Sequence, residues 1–116
     1  GIKVISLIAP TSEKRIQMIA KEAEGFIYLV SSMGVTGVRN EITTDIESIV
    51  KNIRSVTDVP VAVGFGINKR EQVEKYMSVA DGAIVGSAIV KIIEKYGEEA
   101  GSHIYDYIHE INAAAN

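Results

Sequence analysis

Four short runs of this sequence are apolar almost without interruption: KVISLIAP (Lys3–Pro10), FIYLVS (Phe26–Ser31), VPVAVGF (Val59–Phe65) and GAIVG (Gly82–Gly86). A strand with one face in water alternates apolar and polar residues. These runs do not, so they read as parallel strands covered on both faces. Parallel neighbours need a crossover connection, and a helical pattern stands between each pair of runs. Thr11 or Ser12 can cap the first helix, with Glu13 in its first turn. Ile16, Ile19, Ala20 and Ala23 then recur at helical spacing, and Gly25 stands where a glycine closes a helix. Thr43 or Thr44 opens a second helix, with Ile46, Ile49, Val50, Ile53 and Val56 on one face. Asn68, with Glu71 three residues on, caps a third whose inner stripe is Val73, Tyr76, Met77 and Ala80. Ser87 starts a short fourth helix that Gly97 ends. A last helix carries Ile104, Tyr107, Ile108 and Ile111 on one face.

The pattern is (βα)4 with an additional helix in the last unit, and 116 residues suit one domain, 1–116. Parallel βα repeats build an open doubly wound sheet or a (β/α)8 barrel. Four strands are half of a closed barrel. Such a half leaves two strand edges open and bares an inner face, where side chains such as Ile5, Tyr28, Val63 or Ile84 stand according to which alternate inward. Three arrangements follow: two copies closing a barrel, a piece of a longer barrel, or a flattened flavodoxin-like sheet.

Composition narrows the chemistry. The net charge is −3 with basic and acidic residues interspersed, so no basic stripe marks a nucleic-acid partner. There is no cysteine, hence neither disulfide nor thiolate chemistry. No apolar run reaches the ~18 residues of a membrane span, and no secretory leader is read. The expected location is the cytoplasm. His103 and His109 stand six apart on the last helix, which does not suit a metal pair, and no His/Cys/Asp/Glu cluster has ligand spacing. Asp58 and Asp81 precede strands, which places them at the face of the sheet that serves stability.

The glycines fall at the opposite end. Gly34 and Gly37 follow the second strand, Gly64 and Gly66 the third, and Gly86 the fourth. Ligands of parallel α/β folds bind at the carboxyl ends of strands, and glycine lets backbone N–H groups approach a ligand closely. Gly86-Ser87 opens a short helix, whose free N–H groups and positive dipole end suit an anion. A phosphate cup built from the loops after the last two strands and an extra short helix recurs in (β/α)8 barrels. Such turns also occur merely to reverse the chain. Tyr28 can equally be a half-buried core residue, and Met18, Met33 and Met77 are scattered as packing residues are.

FIYLVSSMGVTGVRN, VPVAVGFGI and DGAIVGSAIVKIIE, in this order, resemble the C-terminal half of the tryptophan synthase alpha chain family, and IAPTS resembles its fifth βα unit. The resemblance covers essentially the whole chain but only strands five to eight of that family's barrel. It implies the fold class α/β, in the (β/α)8 TIM-barrel family, here a four-stranded (βα)4 half barrel with parallel strands. It implies a lyase of tryptophan biosynthesis that cleaves indole-3-glycerol phosphate to indole and glyceraldehyde 3-phosphate. It also implies a beta-chain partner, to which pyridoxal phosphate would belong, so this chain is expected to carry no cofactor of its own. By the same resemblance, Gly37, Gly66, Gly86 and Ser87 match phosphate ligands and Phe65 lies beside them. Tyr28 lines the pocket, and Thr36 belongs to a loop that closes it. Ser32 departs from the family, where many members carry arginine, and Arg39 is a partial substitute. The family's catalytic glutamate and aspartate belong to the other half, so no catalytic residue is expected here and the chain alone is expected to be inactive. Two further readings stand beside this one. One is a non-catalytic half barrel that binds phosphate and self-associates as a homo-oligomer. The other is a different phosphate-handling barrel enzyme.

Overall fold

A computed structural model describes residues 1–30, 39–64, 67 and 69–113, with backbone alone over 39–45. The strands are β1 (Ser6–Ile8), β2 (Ile27–Val30), β3 (Val61–Gly64) and β4 (Gly82–Ala83). The helices are α1 (Glu13–Lys21), α2 (Arg39–Arg54), α3 (Arg70–Met77), α4 (Ser87–Tyr96) and α5 (Ala100–Ala113), with one 3-10 turn, Gly97–Glu99, between the last two. The strands form one parallel sheet in the order β1-β2-β3-β4.

That order decides between the arrangements left open above. A doubly wound sheet reverses its strand order at a switch point, as in 2-1-3-4-5. Here each strand is added beside its predecessor in one direction. Right-handed crossovers then put every connecting helix on the same side. The core agrees. Ile8, Ile27, Leu29, Val61 and Val63 from the sheet pack with Ile16, Ala20, Ile46, Val50, Ile53, Val73, Ala80 and Ile111 from the helical layer. The sheet is singly wound, half of a barrel wall, and the flavodoxin-like arrangement is excluded.

Register separates the two faces. Leu7, Tyr28, Ala62 and Gly82 stand in one row across the four strands, on the side away from the helices. Leu7 is 60% exposed, and the other three are half-buried. The expectation that both faces are covered therefore holds only for the helical side within this chain. The unbroken apolar runs are explained by a barrel interior that four strands do not close. Val63 belongs to the helical face, and Tyr28 to the inner one.

Element ends differ from the sequence reading in instructive places. Ser12 is the N-cap of α1, accepting from Arg15 N at 3.3 Å. α1 stops at Lys21, and Gly25 (φ 74°) turns the chain just before β2 rather than closing the helix. α2 begins at Arg39, ahead of Thr43 and Thr44. The cap of α3 is Lys69, whose backbone N–H donates to Gln72 Oε1 at 3.0 Å, in place of Asn68 with Glu71. Asn68 itself lies outside the described residues. β4 ends at Ala83, so the apolar run to Gly86 is longer than its ladder.

Candidate functional site

The carboxyl edge of the sheet is where β2, β3 and β4 deliver Val30, Gly64 and the segment leading to Gly86. Tyr28 is fixed here by its register and by its neighbour. A methyl group placed on Gly64 would fall 2.5 Å from Tyr28 Oη and 2.6 Å from Cζ, so the tyrosine ring lies directly across the Gly64 backbone. Tyr28 pairs with Ala62, and Gly64 is the diagonal neighbour on the same face, within reach of a long aromatic side chain. The glycine at the end of β3 is therefore required by Tyr28. Close ligand approach is the role expected of Gly64 from the sequence, and the structure adds the packing of Tyr28 against it. The signal was available in the register, since a tyrosine on one strand faced a glycine two residues past its partner.

After β4, Gly86 is the N-cap of α4 with φ −121° and ψ −72°, a backbone that does not demand glycine. A Cβ there would meet nothing within 4 Å. Gly86 O accepts from Ile89 N at 2.9 Å and Val90 N at 3.1 Å, which starts the helical ladder. No side chain caps the first turn, and that turn carries no acid, whereas α1 has Glu13 and α3 has Glu71 there. Ser87 is exposed at the first helical position. The backbone N–H groups at this end, together with the positive end of the helix dipole, can hold an anion. Of the site residues expected from the sequence, Gly86 and Ser87 follow the carboxyl end of β4, and Tyr28 stands within β2. Thr36, Gly37, Phe65 and Gly66 lie outside the described residues.

The amino edge holds a different kind of contact. Asp81 Oδ2 accepts from Val61 N at 2.9 Å and from Arg54 Nη2 at 3.1 Å. The Val61 N–H foremost, and then the Arg54 guanidinium, hold its carboxyl below the ordinary value of 3.8 against the opposing effect of burial. This clamp ties the end of α2 to the starts of β3 and β4, as the placement before a strand implied. A groove of about 410 Å³ between α1 and α2 is equally structural. Its amides are engaged with the chain itself, Gln17 Nε2 on Asn52 Oδ1 at 2.7 Å and Asn52 Nδ2 on Glu13 O at 3.2 Å. Among the described residues no group of three or more His, Cys, Asp or Glu could hold a metal ion. Nor is any helix among them long and apolar enough to cross a membrane.

Comparison with known proteins agrees with the geometry. The family model for the tryptophan synthase alpha chain matches residues 1–115. The alpha chain of Bacillus licheniformis is 54% identical over 99 residues, which are 85% of this chain and 37% of that relative. The alpha chain of Lacticaseibacillus casei is 46% identical over all 116 residues, 44% of its own length. The solved subunit alpha from Campylobacter jejuni superposes with a TM-score of 0.81 at 39% identity, over 95% of this chain and 44% of that one. The A-subunit from Pyrococcus furiosus superposes with a TM-score of 0.80 at 36% identity, over 97% of this chain and 46% of that one. The chain thus spans less than half the length of these relatives.

Proposed function

Because the chain belongs to the tryptophan synthase alpha chain family, we propose that it is the phosphate-holding half of a barrel that cleaves indole-3-glycerol phosphate to indole and glyceraldehyde 3-phosphate. The family match over residues 1–115 carries this reading. The uncapped start of α4 after β4 supports it. In this reading the N–H groups of Gly86 and Ser87 bind phosphate oxygens, together with Gly37 and Gly66 and beside Phe65. Tyr28 lines the substrate pocket, and Thr36 belongs to the closing loop. Proton transfer falls to an acid and a base on the other half of the barrel, as the family resemblance implies, and Asp58 and Asp81 precede strands, away from the carboxyl edge. A beta-chain partner and a cytoplasmic location belong to the same proposal.

The test is reconstitution. The chain is mixed with the complementary N-terminal half of the Lacticaseibacillus casei relative, and indole release is followed. Indole from the pair and none from either half supports the reading. No indole at any ratio of the two overturns it.

A second reading rests on the open inner row. Leu7, on the edge strand β1, is 60% exposed, and a second copy would cover it by pairing β1 with the partner's β4. Sedimentation equilibrium decides, since a monomer at every concentration excludes the homo-oligomer.

A further inference from the structure

α4 is an unusual support for a binding site. It contributes no buried residue to the core. Val90 and Ile93 are 60% and 49% exposed, so its apolar side is only partly seated. Both of its ends are glycines: Gly86 is the N-cap, and Gly97 (φ 54°) breaks the chain into the 3-10 turn. A rod between two soft joints takes its direction from whatever holds its far end.

The far end is held by aromatic stacking. The ring of Tyr96, the last residue of α4, lies on His103 of α5 with centroids 3.5 Å apart and planes within 11°. Lys95 Nζ stands 5.2 Å from the Tyr96 centroid. α5 is anchored in turn, through Ile111 (8% exposed) in the core and the partly buried Tyr107 packed against it. The stack therefore joins a helix without buried residues to one that has them. Ten residues of helix are about 15 Å long, so a tilt of about 10° about the far end would move the first turn by about 2.5 Å. N–H···O bonds do not survive a displacement of that size.

We infer that Tyr96 and His103 are positioning residues: their stack sets the direction of α4 and so aims the N–H groups at Ser87 toward a bound phosphate. The inference rests on the phosphate reading of this helix. Neither residue touches the ligand; each acts through the backbone of α4.

The experiment uses the chain with inorganic phosphate as the probe. Residual dipolar couplings report the direction of α4 relative to α3 and α5, and amide shifts at Ser87 and Ala88 report phosphate affinity. His103→Ala should turn α4 and weaken phosphate binding about three- to tenfold. His103→Phe, which keeps a flat ring but no titratable group, should restore both. Tyr96→Leu should reproduce the His103→Ala result from the other side of the stack. An unchanged α4 direction in both truncations overturns the inference whatever phosphate does. A helix that turns as expected while wild type gives no phosphate-dependent shift at Ser87 overturns the phosphate reading instead, and with it the link to binding.

Discussion

At the scale of single residues, the tightest constraint is the pair Tyr28 and Gly64. A methyl group on Gly64 would stand 2.5–2.7 Å from the hydroxyl oxygen and two ring carbons of Tyr28, closer than packed atoms approach. Gly64→Ala should cost about 1–3 kcal/mol in chemical denaturation, the usual range for overpacking. Adding Tyr28→Leu should recover part of that loss, and a double-mutant cycle measures the coupling. Asp81 gives a pH prediction. Its folded-state pKa lies below 3.8, so its stabilising contribution is fully present above the unfolded value and is lost as pH falls through the folded one. Asp81→Ala should therefore lower the denaturant midpoint near neutrality and flatten its decline below about pH 4 relative to wild type. The effect is small, because half of the Asp81 side chain faces solvent. An unchanged acid limb in the variant would show that other carboxylates set it.

At the scale of elements, helices that bury a stripe and a helix that does not should respond differently to truncation. Ile53 on α2 is fully buried, and Ile53→Ala should cost about 2–5 kcal/mol. Val90 on α4 is 60% exposed, and Val90→Ser should stay within about 0.5 kcal/mol. Thermal or denaturant melts of the two variants compare them directly. The helical stripes were readable in the sequence because burial on one side of a helix leaves a period: Ile16 and Ala20, Ile46, Val50 and Ile53, and Val73 and Ala80 all proved buried. Helix starts were less readable. Ser12 caps α1 as its chemistry suggests, but α3 is capped at Lys69, a residue with no N-cap preference to announce it, whose backbone N–H is served by Gln72 three residues on. The start of α4 was readable as a Gly-Ser turn after an apolar run. The stack that orients it was not, because Tyr96 and His103 lie on different helices and meet only through the turn at Gly97.

At the scale of the whole molecule, parallel strands and alternating helices were legible as unbroken apolar runs between helical stripes. Winding direction was not, since the same runs suit a doubly wound sheet, and only the order β1-β2-β3-β4 separates the two. Leu7 carries the matching prediction. It sits on the inner row and is 60% exposed in this chain, so Leu7→Asp should leave the midpoint of the isolated chain within about 0.5 kcal/mol. The same change should weaken association with a complementary half at least about tenfold, because it places a charge inside the completed barrel. Analytical ultracentrifugation of the mixture reads that difference. The strand order also has a temporal meaning. Each of β2, β3 and β4 lies beside the strand made just before it, so a chain leaving the ribosome does not wait for a later segment before adding these ladders. Each βα unit that emerges finds its docking edge already present, and it leaves behind an edge of the same kind for the next. Assembly of this sheet can thus keep pace with synthesis, unit by unit, from its first strand to its last.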